Sequence, residues 1–252
     1  MTSRFVSAPR AIRTLVLIFC GISSTAPALT FVQTFFVPLT DTDLQASWQA
    51  IGTGATIGNS IKSVISIAVP KAGTLIYYDQ WEDGYDANPA APALATTQIW
   101  GDGNTANGAA PGYATDVIPA GGVIVLNNSV SLPRGSTSLF YDGRDRISTT
   151  NTIAVARVGW PIDPGPVIGT SAEAYDTRKF GTSFQMPVGT LTGSYQQFEY
   201  ASLHIMASQD GTLVQVDVNA DGTVDQTQTL DMGQTMFVNG GVQVGATVTA
   251  SK

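Results

Sequence analysis

The sequence predicts an all-β protein built from antiparallel strands, either as one β-sandwich or as two tandem β subdomains, with at most one short helix. Charged residues make up only 12% of the chain, whereas Gly, Thr, Ser, Ala and Val are abundant. That composition favours extended strands and frequent turns over helices, which prefer Glu, Lys, Leu and Arg. Several segments also alternate apolar and polar residues, which is the pattern of a half-buried strand. The 252 residues are enough to bury a hydrophobic core.

Residues 1–28 have the pattern of a secretory signal peptide and are left out of the fold prediction. Three arginines precede the apolar run 15–22, and small residues at positions 26 and 28 provide a cleavage site. The apolar run is too short to cross a bilayer as a helix, so no membrane span is expected once the signal is removed. The sequence therefore predicts a secreted or cell-surface protein.

Removal of this segment also removes the only cysteine and three arginines. The remaining chain has nine basic and nineteen acidic residues, a net charge of −10, and no thiol for a disulfide or for catalysis. Nucleic acid is not an expected partner, because phosphate binding requires clustered Lys and Arg. An exported β-protein of this size without disulfides is typical of a bacterial surface.

Four elements are predicted near the start of the mature chain. Residues 31–38 form an opening strand. The only predicted helix covers residues 41–51, where three large apolar residues recur at helical spacing behind a cap at Thr40 or Asp41. Residues 62–69 and 73–78 are expected to pair as a β-hairpin, because a Lys-Ala-Gly turn separates two apolar runs.

Residues 77–86 combine aromatic rings with carboxylates, and three interpretations are open. The first is carbohydrate binding, with Trp81 or Tyr85 stacking on a sugar ring. In the second, Glu82 and Asp83 are the acid and base of a glycoside hydrolase; adjacent strand residues point to opposite faces, so this pair can cooperate only from a loop. The third is a strand end and an Asp-Gly turn whose rings cap a sandwich. The candidate ligand-binding residues are Tyr78, Asp79, Trp81, Glu82, Asp83 and Tyr85.

The rest of the chain predicts a long loop and further strands. Residues 87–122, with 96–100 as a brief exception, are rich in Pro, Ala, Gly and Asn, which indicates a loop. The proline-rich segment 160–166 is the predicted boundary between an N-terminal β-rich region, 29–160, and a second β region, 167–252. The single histidine, His204, is expected to be structural. Strands are predicted at 122–126, 138–142, 152–158, 172–176, 182–186, 198–206, 232–238 and 242–250.

Residues 217–225, DVNADGTVD, predict a calcium site between two strands. Oxygen-bearing residues occupy loop positions 1, 3, 5 and 9, and Gly222 at position 6 allows a sharp turn; Ca²⁺ prefers six to eight oxygen ligands. An EF-hand is not predicted, because position 12 is Gln228 instead of Glu and no helices flank the loop. The alternative is a plain hairpin with an Asp-Gly turn. The candidate ligands are Asp217, Asn219, Asp221 and Asp225, with the carbonyl of Thr223.

Three blocks in the last third of the chain, at 207–214, 229–234 and 245–252, resemble the IgGFc-binding-protein N-terminal type of domain. The upstream blocks YDQWEDGY, WGDG and YDTRKFGTS resemble large exported bacterial proteins that carry this domain. The resemblance implies a β-rich module of a long surface protein, truncated here at its C-terminal end and followed by further β domains. It implies no catalytic residues, and immunoglobulin binding does not transfer, because no residues match that function.

Three classes of function follow from these patterns. The first is a non-enzymatic extracellular or cell-surface β module with a structural or adhesive role, stabilised by the calcium loop. The alternative is a carbohydrate-binding module that uses residues 77–86, and the second alternative is a secreted glycoside hydrolase. The expected partner is a surface glycan or a protein ligand. No catalytic constellation is predicted, since a Ser-His-Asp triad would depend on His204 alone and the G-x-S-x-G motif is lacking.

Overall fold

A computed structural model describes residues 30–51, 56–135, 138–190 and 199–252. Within these ranges the protein has fourteen β-strands, one α-helix and two short 3-10 helices, and the paired strands are all antiparallel. The predicted all-β fold with one short helix is therefore confirmed. The predicted signal peptide, 1–28, lies outside the described residues.

The first eight strands form two four-stranded sheets. They are β1 (Gln33–Phe36), β2 (Ser60–Val69), β3 (Ile76–Asp79), β4 (Gln98–Trp100), β5 (Gly122–Ser131), β6 (Arg146–Thr149), β7 (Ala154–Pro161) and β8 (Thr170–Ala174). One sheet has the order β1-β6-β3-β4, and the other has the order β5-β2-β7-β8. The predicted hairpin of residues 62–69 and 73–78 is therefore wrong, because β2 pairs with β5 and β7, whereas β3 pairs with β4 and β6 in the other sheet.

Both of these sheets contribute to one hydrophobic core. On β2, the alternate residues Ile65, Ile67 and Val69 are buried, as the two-residue period of a strand requires. Tyr78 and Trp100 enter the same core from the other sheet. The two sheets therefore pack face to face as a β-sandwich, which we call the first sandwich.

Helix α1 (Asp41–Ala50) packs beside β2 and β7. It begins at Thr40, whose hydroxyl accepts a hydrogen bond from the backbone N–H of Asp43 at 3.2 Å. Leu44 and Trp48 are buried in a small apolar cluster with Ile61 of β2. The helical spacing seen in the sequence is thus the spacing of the buried face. Among the described residues, no helix combines the length and hydrophobicity that a membrane span needs.

The last six strands form a second set of sheets with its own core. They are β9 (Ser183–Gln185), β10 (Leu203–Met206), β11 (Thr212–Asp217), β12 (Gln226–Leu230), β13 (Thr235–Val238) and β14 (Thr247–Ala250). Four of them form a sheet of order β12-β11-β14-β9, and β10 pairs with β13. Both sheets bury residues in one core, including Val214, Val238 and Val248. We call this unit the second sandwich.

One predicted strand is wrong and one observed strand was not predicted. Residues 138–142 do not form a strand, whereas β6 lies a few residues later and pairs with both β1 and β3. The backbone N–H of Asp142 donates to the carboxylate of Asp145 at 3.0 Å. This side chain stabilises a turn, so strand pairing begins only after it.

The proline-rich segment 160–166 lies within the first sandwich. Strand β8 follows this segment and pairs with β7, so residues on both sides of the predicted boundary belong to the same sheet. The predicted loop 87–122 contains a short strand as well, since β4 pairs with β3. The division of the chain into separate domains stays a prediction.

Candidate functional site

The aromatic and acidic stretch begins inside the first sandwich. Tyr78 and Asp79, the last residues of β3, are fully buried. The ring of Tyr78 stacks on Trp100 with centroids 5.0 Å apart, and its hydroxyl donates to Asp145 at 2.6 Å. Asp79 forms an ion pair with Arg146. A ligand in solution therefore does not reach Tyr78 or Asp79 in this structure.

Trp81 and Glu82 follow β3 and contact a neighbouring loop. Trp81 is half-buried, and its indole N–H donates to the carboxylate of Asp142 at 3.1 Å. The side chain of Glu82 is only 2% exposed; it pairs with Arg134 and accepts the backbone N–H of Phe140 at 3.1 Å. Trp81 and Glu82 therefore connect residues 77–86 to the loop that contains Arg134, Phe140 and Asp142.

Asp83 and Tyr85 lie on either side of the Asp-Gly turn. Asp83 is exposed, and both of its carboxylate oxygens accept the hydroxyl of Thr96, at 2.8 and 2.9 Å. The hydroxyl of Tyr85 donates to the carbonyl of Arg144 at 2.7 Å, and its ring packs edge-on against Phe36. Tyr85 thus contributes to packing, and Asp83 faces solvent.

The six predicted ligand-binding residues do not form one exposed surface. An acid and base pair for glycoside hydrolysis needs both carboxyl groups at one open site. Here Glu82 is buried against an arginine, whereas Asp83 is exposed. The guanidinium of Arg144 also lies 4.0 Å from the centre of the Trp81 ring, where a stacked sugar would have to sit. This geometry favours the structural interpretation of the stretch.

Glu82, Asp142 and Asp145 form a buried acidic cluster beside a single arginine. Arg134 lies within ion-pair distance of both Glu82 and Asp142, and one guanidinium balances only one of two carboxylates. Burial, together with the nearby Asp41 carboxylate, raises the pKa of Asp142 to about 8 against the opposing effect of Arg134. Burial also raises the pKa of Asp145 well above its ordinary value. Both shifts favour the protonated forms of these two carboxyl groups.

A cleft of about 370 Å³ opens between the two sandwiches beside this cluster. Its lining combines hydroxyl, amide, carboxyl and guanidinium groups with one indole ring. The lining residues are Thr40, Asp41, Thr42, Trp81, Arg134, Asp142, Gly143, Arg144, Gln228, Gln234 and Thr235. The N-terminus of α1, the loops around the acidic cluster, and strands β12 and β13 therefore meet at this cleft.

Arg144 is a candidate site residue that the sequence pattern does not reveal. Its φ of 87° lies in the left-handed region, which is uncommon for a residue other than glycine. Its Nε donates to the carbonyl of Gly233 at 3.1 Å, and its guanidinium lies over Trp81. The ion pairs among the described residues do not include Arg144. The only sequence signal is the segment 142–146, which by itself predicts an Asp-Gly turn.

The predicted calcium loop connects β11 and β12 as a hairpin. Asp217, Asp221 and Asp225 each accept a backbone N–H of the same loop, at 2.8, 2.8 and 2.7 Å respectively. Asn219 accepts the N–H of Asp221 at 3.0 Å. Gly222 has a φ of 87°, which supplies the predicted sharp turn. The polar side chains therefore shape the loop through its own backbone.

Metal binding at this loop stays a prediction from ligand spacing. In the described ranges, no three Asp, Glu, His or Cys side chains are arranged to hold a metal ion. The hydrogen bond from the backbone N–H of Thr223 lowers the pKa of Asp221, so this carboxylate is ionised at neutral pH. Thr223 and Asp225 are exposed at the end of the hairpin.

His204 joins the second sandwich to helix α1. Its Nε2 lies 3.2 Å from the hydroxyl of Ser47, and its ring packs against Phe237 with centroids 4.7 Å apart. Burial lowers the pKa of His204. Its Nδ1 is buried without a hydrogen-bond partner among the described residues, so no carboxylate orients the ring as a catalytic triad requires.

Comparison with protein-family models, with curated proteins and with solved structures gives no match for this chain. The resemblance to the IgGFc-binding type of domain therefore stays a prediction from the quoted blocks. Any functional argument has to come from the residues and their geometry.

Proposed function

We propose that the chain is a non-enzymatic extracellular or cell-surface β module with a structural or adhesive role. One observation carries this proposal. The aromatic and acidic side chains of residues 77–86, together with the arginines that they contact, form packing contacts, hydrogen bonds and ion pairs within the protein. A module that transmits force along a surface protein needs such connections, because β units joined only by a linker move independently. The predicted signal peptide and the family resemblance support export.

The contacts between the two sandwiches support a stiff module. Gly233 lies so close to Tyr85 that a Cβ at this position would stand 1.9 Å from the tyrosine hydroxyl oxygen. Arg144 bonds the carbonyl of the same glycine. On α1, Asp43 accepts the hydroxyl of Thr235 at 2.8 Å. Side chains of the first sandwich and of α1 thus hold the start of β13 at two neighbouring points.

Calcium at loop 217–225 is part of the proposal. The spacing of oxygen ligands and the turn at Gly222 support it, and an ion would gain affinity from the three carboxylates of Asp217, Asp221 and Asp225. Asn219 and the carbonyl of Thr223 would complete the protein ligands. Binding would stabilise the hairpin of β11 and β12, because a ligand that binds only the folded state raises its stability.

A thermal melt of residues 29–252 tests the calcium proposal. Calcium at about 100 times its Kd should add about 2.7 kcal/mol to the stability, and EGTA should remove this increment. Asp221→Asn should abolish the response, because it removes one ligand charge from the loop. Glu173→Gln is the matched control, since it removes one exposed carboxylate from β8, far along the chain from the loop.

An identical melting curve in calcium and in EGTA would rule out the metal. The structural role is tested separately by comparing the melts of the two cores, through tryptophan fluorescence and through NMR signals of the second sandwich. All tryptophans lie before residue 161, so their fluorescence reports the first sandwich and α1. Coincident transitions support one stiff module, whereas two widely separated transitions contradict it.

A further inference from the structure

We propose that the cleft between the two sandwiches binds a small hydroxylated carboxylate, such as a uronic-acid sugar unit, through the guanidinium of Arg144. This site is distinct from the predicted calcium loop. Of the residues that the sequence suggests for sugar binding at 77–86, the cleft lining includes Trp81, whose ring is covered by the guanidinium of Arg144. Ligand binding at the cleft requires neither the metal nor the adhesive role, so its test is independent of both.

Arg144 is held in position from three directions. Its carbonyl accepts the hydroxyl of Tyr85 at 2.7 Å, and its Nε donates to the carbonyl of Gly233 at 3.1 Å. Its guanidinium lies 4.0 Å from the centre of the Trp81 ring, a favourable cation–π distance. The left-handed backbone of Arg144 is costly for an L-residue and persists where the surroundings determine it. The guanidinium is therefore preorganised, which reduces the ordering that a ligand would have to impose.

The guanidinium of Arg144 forms no ion pair with a described residue. Every Asp and Glu of the chain lies within the described residues, and none of the ion pairs there involves Arg144. Two carboxyl groups near the cleft are paired with other arginines: Glu82 pairs with Arg134, and Asp41 pairs with Arg157 at 2.7 Å. Asp43 accepts the hydroxyl of Thr235 at 2.8 Å. Burial raises the pKa of Asp142, which favours its protonated form. The guanidinium of Arg144 therefore provides a positive group at the cleft that forms no ion pair among the described residues.

The terminal NH₂ groups of Arg144 provide the donors for a carboxylate. The described residues accept a hydrogen bond only from its Nε, so both terminal groups are available. A guanidinium presents its N–H groups as a planar fork that matches the two oxygens of a carboxylate. Any carboxylate would bind to this fork. The other groups that line the cleft therefore decide which carboxylate binds best.

Other side chains that line the cleft suit hydroxyl groups. Gln228 and Thr42 line the cleft, and neither side chain has a hydrogen-bond partner among the described residues. Amide and hydroxyl groups bind sugar hydroxyls because each can donate and accept. The volume of about 370 Å³ lies at the small end of the range for ligand sites, which fits one sugar unit better than a long chain.

Titration of the purified protein with galacturonate and glucuronate, followed by NMR chemical shifts, tests this inference. Saturable shifts at the cleft residues are expected for a uronate, with about tenfold or weaker affinity for neutral galactose and glucose. Acetate separates the two sources of a carboxylate. Weaker binding of acetate than of uronates supports a sugar acid, and equal binding overturns that assignment. The absence of any saturable shift with either uronate overturns the site itself.

Gln228→Glu is the decisive variant because it adds a negative charge to the lining of the cleft that contains Arg144. The residue is exposed on the edge strand β12, so folding should not change. Uronate affinity should fall about tenfold or more, since like charges oppose each other across the cleft. Thr227→Glu is the matched control: it adds the same charge one residue away, on the opposite face of the strand, and should leave affinity unchanged. Equal affinities of the two variants overturn the inference.

The Arg144→Lys variant tests the paired N–H donors of the guanidinium separately from its positive charge. It keeps the positive charge and loses the paired donors, so uronate should bind more weakly than to the parent protein. Thermal melts of each variant show whether the fold is intact. A folded Arg144→Lys protein with unchanged affinity would contradict the bidentate contact.

Discussion

Replacement of Arg134 by alanine is expected to destabilise the protein by about 3–5 kcal/mol, the cost of breaking a buried ion pair. Arg134 lies within ion-pair distance of Glu82 and Asp142, whose side chains are 2% and 1% exposed. Without the guanidinium, Glu82 becomes an uncompensated charge in the interior. The guanidinium also lies 4.5 Å from the centre of the Phe140 ring, a contact that adds about 0.5–1 kcal/mol.

Urea unfolding measures this loss directly. A thermal scan should show Tm lower by roughly 6–20 °C, since each kcal/mol corresponds to about 2–4 °C for a chain of this size. Arg178→Ala is the matched control, because Arg178 pairs with Asp176 but its own side chain is 66% exposed. Because the guanidinium of Arg178 stays in water, its pair with the buried Asp176 should contribute less than about 1 kcal/mol. Equal losses in the two variants would refute the argument that burial sets the magnitude.

Two further perturbations address Asp142 and the contact at Gly233. Because burial raises the pKa of Asp142 from 3.8 to about 8, only the folded chain keeps this proton between those values. Stability should therefore fall as pH rises through that window, by at most about 1.4 kcal/mol per pH unit, and Asp142→Asn should flatten the profile from urea unfolding; a rising profile contradicts this. Gly233→Ala should cost about 1–3 kcal/mol more than Gly241→Ala, since both have a φ of 74° but only Gly233 has a neighbour, Tyr85, in the way. Equal melting temperatures of the two glycine variants would contradict the close contact.

Strands and helices were predicted correctly from the sequence where one of their faces is buried. Residues 62–69 alternate along a strand with one buried face, and the structure has β2 there. The helix predicted at 41–51 is α1, because its apolar residues share one side. Strand β6 was not predicted, because all four of its residues, Arg146–Thr149, are buried and three of them are polar. Alternation does not exist in a strand whose residues are all enclosed.

The candidate site was predictable only in part. The aromatic and acidic stretch stood out by composition, but burial of Tyr78, Asp79 and Glu82 was not visible, because their partners are charged groups elsewhere in the chain. The calcium spacing and the turn at Gly222 are local properties of the hairpin and could be read directly. Arg144 could not be found, since an arginine in a turn is ordinary until its contacts are known.

The sequence alone determined the all-β class, the periods of the main strands, the short helix and the sharp turn at Gly222, because each depends on residues a few positions apart. Tertiary structure decided which charged groups pair and where the cleft lies. Tyr85 meets Arg144 across 59 positions of the chain, and Arg144 meets Gly233 across a further 89. Contacts over such separations depend on how the sheets pack, and a local pattern does not specify that packing.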